Sequence, residues 1–298
     1  MKKVLIIGCG LLGSSLVRSI SKKKLAKKIF IYEKSKSNIA KIKRLKLPGI
    51  IVKSLKDGVV NSNLVIFCTP MSEYKKIILK INRFLSSEVL ITDIGSSKIE
   101  SSKIIKKSLK KNITWIRSHP IAGSEVSGPE HGSVNMFENK WCVLIKNKGT
   151  NPKGLKFLVS FWKKIGSKTV TMSSEQHDRI FSITSHLPHL IAYNLVKSAQ
   201  DFEKKLKSDL IKYSAGGLRD FSRIAASNEI MWRDIFFDNK ANVVKAIDLF
   251  TKNLNAFKKD INSKNNKSIL RKLIQTKKVR SKIIKLKQDV NKPDFGRS

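Results

Sequence analysis

The stretch V-L-I-I-G-C-G-L-L-G, residues 4–13, joins a continuous apolar run to three glycine residues in the pattern G-x-G-x-x-G. An apolar run without polar alternation is typical of a strand that is buried on both faces of a parallel sheet. Gly8 can make a tight turn, Gly10 lets phosphates approach the backbone, and Gly13 lets the next helix pack on the strand. The stretch therefore predicts a β-α-β unit that binds a dinucleotide.

The residues that follow indicate which dinucleotide is bound. A second apolar run, Ile29–Tyr32, ends at Glu33, twenty residues after Gly13. An acid at this position accepts hydrogen bonds from the adenosine ribose and repels a 2′-phosphate, which favours NAD over NADP, although Lys34 and Lys36 weaken that preference. The predicted cofactor-binding residues are Gly8, Gly10, Leu11, Leu12 and Gly13 in the glycine turn, Glu33, and Thr69 and Pro70 after the next strand.

The α/β pattern continues to residue 172. Apolar runs predict further strands of the parallel sheet at residues 63–68, 88–92, 113–116, 141–145 and 168–172. Ser96 or Ser97 is expected to cap the helix that follows the fourth strand. From residue 173 to residue 298 the periodicity is helical. We therefore predict an N-terminal Rossmann-type α/β domain over residues 1–172 and an all-helical C-terminal domain over 173–298, with a basic tail after Ser263.

A histidine motif, R-S-H-P-I-A-G-S-E-V-S-G, occupies residues 117–128. The preceding apolar run predicts that His119 lies at the carboxyl end of a strand, where open α/β sheets bind their ligands. Gly123 and Gly128 allow turns around Ser124 and Glu125. On these residues alone, a loop histidine without a chemical role is an equally good interpretation.

Polar residues in the helical half offer further candidates. His186 and His189 are three residues apart around Pro188, but no third ligand clusters nearby, so we expect no metal site. Gly216 and Gly217 are expected to break a helix ahead of Arg223, which on spacing alone also fits a surface ion pair. For Trp232 core packing is the simpler interpretation. The helix predicted from residue 239 to 261 carries apolar residues at helical spacing, which indicates a packing face, either within the chain or against a partner.

The composition argues against several other classes of protein. The net charge is +39, but 50 lysines and only 11 arginines are spread over nearly every predicted helix. This distribution indicates a compositional bias and not a specific nucleic-acid site. No apolar run approaches the ~20 residues of a membrane span. The run after Met1 is too short for a signal peptide, and the three cysteines lack metal spacing, so we expect a cytoplasmic protein with reduced thiols.

Five motifs in order resemble the prephenate/arogenate dehydrogenase family of tyrosine biosynthesis. They are G-C-G-L-L-G-S-S-L, D-I-G-S-S-K, S-H-P-I-A-G-S-E, H-D-R-I-F-S-I-T-S-H-L-P-H, and G-G-L-R-D-F-S-R-I-A with M-W-R-D-I. The resemblance spans the chain to about residue 260. It implies a Rossmann domain, a helical domain that dimerises, and NAD-dependent oxidative decarboxylation of prephenate, arogenate or both.

The resemblance also implies roles for individual residues. His119 matches the catalytic histidine and Ser96 a serine that hydrogen-bonds the same region. His189 and Arg223 match residues that hold the substrate's polar ends, and Ser124, Glu125 and Gly216 fall in the same substrate-binding motifs. Glu125, Arg219 and Asp220 match a charged network at the mouth of the cleft. A neutral histidine suits proton acceptance, and an ordinary histidine pKa predicts that activity falls below about pH 6–7.

On the sequence alone, two other classes of protein remain as alternatives to this family. A β-hydroxyacid dehydrogenase has a similar architecture but uses a catalytic lysine in place of His119. A basic binding protein without enzymatic activity would instead use the helical domain and the tail. Prephenate and arogenate differ only in a keto or an amino group on the side chain, and both stay open as substrates.

Overall fold

The N-terminal half of the chain forms a six-stranded parallel sheet with helices on both faces. The computed structural model describes residues 1–60, 62–207 and 209–286. The sheet has the strand order β3-β2-β1-β4-β5-β6, and every adjacent pair is parallel. Its strands are β1 (Lys3–Ile7), β2 (Lys28–Tyr32), β3 (Ile50–Ile51), β4 (Leu64–Phe67), β5 (Leu90–Asp93) and β6 (Thr114–Trp115), and its helices are α1 (Leu11–Lys22), α2 (Lys36–Arg44), α3 (Leu55–Val60), α4 (Tyr74–Ile81) and α5 (Ile99–Ser108). The predicted α/β fold class is confirmed.

Burial on both faces explains the unbroken apolar run of β1. Val4 and Ile6 belong to one hydrophobic cluster, whereas Leu5 and Ile7 belong to the cluster on the opposite face. All four side chains have no exposed surface. Because successive side chains of a strand point to opposite faces, a strand between two helical layers must be apolar at every position.

The glycine turn connects β1 to α1 as its sequence predicts. Gly8 has a φ of +88°, and a Cβ there would lie 2.8 Å from the carbonyl oxygen of Cys68. A Cβ on Gly13 would lie 2.1 Å from the carbonyl oxygen of Gly8, so the helix approaches the turn closely only because Gly13 has no side chain. A Cβ on Gly10 would meet no atom within 4 Å.

Two strands expected in the parallel sheet belong to a second, smaller sheet. Its strands are β7 (Ser118–Pro120), β8 (Trp141–Ile145) and β9 (Lys168–Met172), with α6 (Pro152–Ile165) between β8 and β9. β7 pairs antiparallel with β8, and β8 pairs parallel with β9. The prediction of one continuous sheet was wrong because an apolar run shows that a strand is buried and does not show which strand it pairs with.

The second sheet lies between the parallel sheet and the helical half. Cys142 and Leu144 of β8 pack in the cluster that contains α1 and α6. Val143 and Ile145, on its other face, pack with Phe181 of the helical half. β8 is therefore buried on both sides, and β7 beside it is held close to the helical half.

Helices make up the ordered secondary structure described after Met172. They are α7 (Ser174–Phe181), which runs through a π-helical turn (Ser182–His186) into α8 (Leu187–Leu206), then α9 (Gly216–Ile224), α10 (Glu229–Asp238), α11 (Lys240–Asn262) and α12 (Asn266–Lys285), with a short 3₁₀ segment, Leu210–Tyr213, before α9. The expectation that Gly216 and Gly217 break a helix was wrong, since they form the first turn of α9 after Ala215.

The basic segment after Ser263 is helical and solvated. α12 has no buried residue, and Lys272 on it pairs with Asp260 of α11 at 2.7 Å. Residues 287–298 of the predicted tail lie outside the described residues. None of the helices in residues 1–60, 62–207 and 209–286 is both long enough and apolar enough to cross a membrane.

We expect Gly13→Ala to destabilise the protein and Gly10→Ala to have a smaller effect. The new methyl group at position 13 would overlap the backbone of Gly8, and such overpacking costs about 1–3 kcal/mol. The methyl group at position 10 enters open space, and its expected cost is below about 1 kcal/mol, from the poorer helix cap. Urea unfolding of both variants without cofactor measures the difference. Equal stabilities of the two variants would show that α1 and the glycine turn move apart to make room for the methyl group at position 13.

Candidate active site

His119 lies on β7 of the second sheet, and this corrects its predicted place at the end of a parallel strand. β6 ends at Trp115, and the chain then crosses to the second sheet, where His119 pairs with Val143. The residue is only 7% exposed. Its Nδ1 atom lies 2.8 Å from Nε2 of His177, and the ring of Phe181 packs against it at a centroid distance of 4.9 Å. His119 is thus fixed on a strand and not carried by a mobile loop.

A carboxylate from the helical half organises the residues behind His119. Asp178 Oδ1 lies 2.7 Å from Nδ1 of His177 and also accepts a hydrogen bond of 2.8 Å from the backbone N–H of Lys98. Its Oδ2 accepts a second bond of 2.8 Å from the N–H of Ile99. Asp178 therefore caps α5 from a distant part of the chain.

Asp178 replaces the serine cap that the sequence suggested. The N-cap position of α5 is Lys98, and neither Ser96 nor Ser97 caps it. The hydroxyl of Ser97 instead lies 3.4 Å from Asp238 of α10. Ser96 is half-buried, and its backbone faces the ring of His186. The cap was missed because its acceptor lies 80 residues away in sequence.

A fully buried ion pair supports the same region from the side of the parallel sheet. Lys98 Nζ lies 2.7 Å from Asp93 Oδ2, and both side chains have no exposed surface. Lys98 Nζ also donates to the carbonyl oxygen of Ser118, beside His119. Asp93 further accepts hydrogen bonds from Tyr74, Gly95 and Trp115. The ion pair joins the end of β5 to β7.

Burial determines the protonation of the two linked histidines. It lowers the pKa of His119 well below its usual value, and the nearby charges of His177, Lys98 and His186 lower it further. Burial likewise lowers the pKa of His177, with help from Lys98. Both rings are therefore neutral well below pH 6.5 in the free protein. The expected loss of activity near pH 6–7 was based on an ordinary histidine and is corrected to a more acidic range.

The two histidines of the S-H-L-P-H-L motif both contact the ring of Trp232. His186 is fully buried in the π-helical turn, and burial lowers its pKa to about 4. His189 on α8 is half-buried and stacks on the Trp232 ring at a centroid distance of 3.8 Å. Burial lowers the pKa of His189, and the charge of Arg223 adds to this. Trp232 is 5% exposed and belongs to the core, as predicted.

The other residues that are predicted to bind the substrate are more exposed than these histidines. Arg223 Nη1 on α9 lies 3.3 Å from Oε2 of Glu125 in the loop after β7, with 44% and 29% of the side chains exposed. Ser124 is exposed on the same loop, and Gly216 is exposed at the start of α9. The exposed ion pair joins the β7 loop to the helical half above the buried histidines.

The residues of the predicted charged network lie on two segments, the loop after β7 and α9. On α9, Arg219 is exposed and Asp220 half-buried. Glu125 and Arg223 form an ion pair between the two segments. An exposed pair of this kind contributes at most about 1 kcal/mol, so it can open at little cost.

The glycine turn has the features that a dinucleotide requires. The N-cap of α1 is Gly10, with no side-chain cap, so the N–H groups of the first turn are left to a ligand. The open space at Gly10 admits a close approach. Thr69, half-buried beside the exposed Pro70, has a buried hydroxyl oxygen without a hydrogen-bond partner. Leu11 and Leu12 are half-buried in the first turn.

Glu33 is engaged by the protein's own backbone. One carboxylate oxygen accepts a 2.8 Å hydrogen bond from the N–H of Cys9, and the other accepts a 2.9 Å bond from Ser35. These bonds place the carboxylate beside the glycine turn. A carboxylate oxygen can accept more than one hydrogen bond, so the side chain keeps capacity for a ribose hydroxyl.

Sequence reasoning overlooked the residues behind His119. His177, Asp178, Lys98 and Asp93 all stand in the motifs H-D-R-I-F and D-I-G-S-S-K, yet no role followed from their spacing. The available signal was the adjacent His and Asp together with a Lys and an Asp in a largely apolar region, since such groups are seldom buried unless paired. Within the described part of the chain, no group of three or more His, Cys, Asp or Glu side chains is arranged to bind a metal ion.

The fold and the glycine turn define a dinucleotide-dependent dehydrogenase with a helical second half. A sequence profile described as the nucleotide-binding domain of prephenate dehydrogenase matches residues 16–171, and one described as the dimerization domain of prephenate dehydrogenase matches residues 173–276. The chain belongs to the prephenate dehydrogenase family.

Individual relatives agree with this assignment. The chain is 31% identical over 279 residues to the cyclohexadienyl dehydrogenase of Zymomonas mobilis, covering 94% of this chain and 95% of the relative. It is similar to a crystal structure of prephenate dehydrogenase from Aquifex aeolicus in complex with hydroxyphenyl propionate and NAD+, with a TM-score of 0.88, 35% identity, and coverage of 95% and 98%. The arogenate dehydrogenase of Synechocystis, at 22% identity, 94% and 99% coverage and a TM-score of 0.76, shares the fold.

The buried histidines predict that acidification destabilises the protein. The pKa values of His119, His177 and His186 are lowered on folding, so the unfolded chain binds protons that the native protein does not. For unfolded pKa values near 6.5, lowering the pH from about 7.5 to about 6 costs about 0.8 kcal/mol per histidine. Burial raises the pKa of Asp238 to about 6, so protonation of this native carboxyl offsets part of the loss within the same pH range.

Urea unfolding between about pH 7.5 and pH 6 measures this dependence. His186→Gln should reduce it by about 0.8 kcal/mol, the contribution of one histidine with a strongly lowered pKa. His131→Gln, at an exposed position, is the matched control and should leave the slope unchanged. A pH-independent free energy of unfolding in this range would contradict the assignment of neutral buried histidines.

Proposed function

We propose that the protein catalyses the NAD-dependent oxidative decarboxylation of prephenate, arogenate or both, a step of tyrosine biosynthesis. The observation that carries the proposal is the neutral, buried His119, which is hydrogen-bonded to His177 of the helical half. The partly exposed Arg223 pairs with Glu125 in the loop that follows His119. Family membership and the relatives' activities support the same reaction. These comparisons do not favour a β-hydroxyacid dehydrogenase. The side chain of Lys98, which lies beside the strand of His119, is paired with Asp93.

The cofactor of this reaction is NAD, and the residues of the glycine turn fit it. Gly8, Gly10 and Gly13 shape the turn, and the free N–H groups of α1 would hold the pyrophosphate. Glu33 would hold the ribose, and Thr69 and Pro70 lie at the neighbouring strand end. When bound, NAD supplies the acceptor for the hydride that leaves ring carbon C4.

His119 accepts the C4 hydroxyl proton as the hydride leaves. Its neutral ring is ready to do so, because burial keeps it unprotonated. Cleavage of the bond between C1 and its carboxylate then releases CO2, and that electron pair makes the ring aromatic. The proton returns from His119 to the phenolate oxygen, so no net proton is released.

Arg223 and His189 would hold the polar ends of the substrate. The Arg223 guanidinium has more donors than its single bond to Glu125 uses, and its fork suits a carboxylate. The stack on Trp232 fixes the ring of His189. Ser96, half-buried beside His186, would contact the same region, with Ser124, Glu125 and Gly216 around the opening.

Turnover of prephenate and of arogenate with NAD, measured side by side, tests the proposed function. We expect His119→Asn to lower kcat by about 10²–10⁴-fold, because asparagine keeps a hydrogen bond but cannot take the proton. NAD affinity should hardly change, since the glycine turn is elsewhere. His131→Gln is the control with normal activity. Near-normal kcat with an unchanged acid limit in His119→Asn would exclude His119 and make His189 the next candidate for the base.

Arg223→Gln should behave differently from the His119 variant. It removes a group that binds the substrate before and during the reaction, so the KM of the substrate should rise more than kcat falls. Absence of turnover with both substrates in the unmodified protein would overturn the proposed function itself.

We also propose a homodimer formed through the helical half. The face predicted for the helix over residues 239–261 is divided in the structure: Val243 and Ala246 are buried in the chain, whereas other apolar side chains of α11 remain exposed. The exposed ones are Val244, Leu249, Phe250, Leu254 and Ile261. These lie within the residues that match the dimerization profile.

Light scattering should show a dimer at micromolar concentration. Leu254→Glu should shift the protein towards monomer, because it places a charge within an apolar interface. Lys252→Glu alters the charge of an exposed residue that lies opposite Phe250, Leu254 and Ile261 around α11, and it is the matched control. A monomer in the unmodified protein, or equal effects of both substitutions, would contradict this interface.

A further inference from the structure

We propose that His177 and Asp178 are positioning residues that fix the tautomer of His119 and leave its Nε2 atom as the base. The inference rests on the proposed function, in which His119 accepts the substrate proton. Its geometric basis is a continuous chain of hydrogen bonds, 2.8 Å from His119 Nδ1 to His177 Nε2 and 2.7 Å from His177 Nδ1 to Asp178 Oδ1. Neither His177 nor Asp178 exchanges a proton with the substrate in this scheme.

The contacts of Asp178 determine which atom donates in each of these hydrogen bonds. Its two oxygens already accept the N–H groups of Lys98 and Ile99, which cannot act as acceptors. The third contact, with His177 Nδ1, must therefore also be a donation to the carboxylate when it is ionised. Burial raises the pKa of Asp178, but the two N–H groups and the Lys98 charge oppose this by stabilising the ionised form.

The same reasoning assigns the next hydrogen. A neutral imidazole with its proton on Nδ1 has a bare Nε2, so His177 Nε2 can only accept. His119 Nδ1 must then carry a proton and donate it. The remaining nitrogen of His119, Nε2, keeps its lone pair. Three contacts are thus sufficient to determine which atom of His119 receives the substrate proton.

Surrounding groups favour the neutral forms of His119 and His177 before the reaction. The charged and titratable groups that face the two rings are Lys98, Arg117, His186, Asp178 and, behind β7, the thiol of Cys142. The ring of Phe181 packs on both histidines, at centroid distances of 4.9 Å and 4.5 Å. Lys98 disfavours a positive charge on His119, and Asp178, acting through His177, offsets this as the proton arrives.

Nitrogen NMR of ¹⁵N-histidine-labelled protein tests the tautomer without requiring turnover. The chain contains five histidines, and the spectrum of His119→Asn identifies the signals of His119 by difference. We expect His119 to show a protonated Nδ1 and a bare Nε2 at neutral pH. The opposite tautomer in the unmodified protein would overturn the proposal even if the enzyme were fully active. The expected tautomer without turnover would instead contradict only the proposed function.

Substitutions at His177 separate positioning from simple packing. His177→Gln can still present an oxygen to His119 Nδ1, whereas His177→Leu fills the space without an acceptor. We expect kcat of His177→Leu to be at least tenfold below that of His177→Gln, with an unchanged KM for NAD. The acid limit of kcat/KM should also move only in the leucine variant. Equal kcat values and equal pH profiles in the two variants would show that His177 only packs.

Asp178→Ala should release the tautomer of His119. The variant has no acceptor at His177 Nδ1, so His177 can carry its proton on either nitrogen and no longer holds His119 Nδ1 as the donor. We expect kcat to fall by about tenfold or more, up to the ~10⁴-fold found when a catalytic histidine is held in the wrong tautomer. NMR should show protonated Nε2 on a fraction of His119. Unchanged kcat and tautomer would overturn the proposal.

A control variant separates the contribution of Asp178 to stability from its proposed effect on His119. The residue also caps α5, so its loss weakens the fold. Ser173 caps α7, the helix that carries His177 and Asp178, through a 3.1 Å bond from the N–H of Gln176. Ser173→Ala should cost about 1 kcal/mol of stability without touching the chain of hydrogen bonds. We expect its kcat and pH profile to be unchanged; a loss of activity equal to that of Asp178→Ala would assign both effects to stability.

Discussion

The structure around the histidines depends on Lys98, a lysine without exposed surface. Removing two charges from water costs several kcal/mol per ion, and the pair is tolerated only if hydrogen bonds satisfy both partners. Here the ammonium binds Asp93 and the carbonyl of Ser118, and Asp93 accepts four hydrogen bonds in total, from Lys98, Tyr74, Gly95 and Trp115. The backbone of Lys98 also takes part, since its N–H binds Asp178 and its carbonyl accepts from Arg117. One residue thus joins the parallel sheet, the second sheet and the helical half.

The site has two levels with different physical properties. The lower level, which contains His119 and His177, is buried, and burial favours the neutral form of both rings. The upper level, with Glu125 and Arg223, is partly solvated and held by a weak ion pair. The pair between Glu125 and Arg223 can therefore open at small cost, whereas the histidines are held by their burial.

Sequence reasoning was reliable where the chemistry is local. The apolar run and the glycine spacing around Gly8 and Gly13 predicted the strand, the turn and the helix, because each residue acts on its near neighbours. It failed where partners are distant. Nothing in the apolar character of Trp141–Ile145 says that this strand pairs with Ser118–Pro120, and nothing in Ser96 or Ser97 reveals that Asp178 takes their place as the cap. The ordinary pKa assumed for His119 was wrong because burial is a tertiary property.

The distance in sequence between His119 and the residues behind it matters during synthesis of the chain. His119 and His177 are separated by 58 residues, and the N–H of Lys98 meets Asp178 across 80. A ribosome completes the glycine turn, the parallel sheet and β9 before it adds Asp178. Until then the first turn of α5 lacks its acceptor and His119 lacks the ring that orients it. A nascent or truncated chain that stops at β9 would therefore contain the glycine turn and His119 but neither His177 nor Asp178. Under the roles proposed for these residues, His119 would acquire its orientation only when α7 docks.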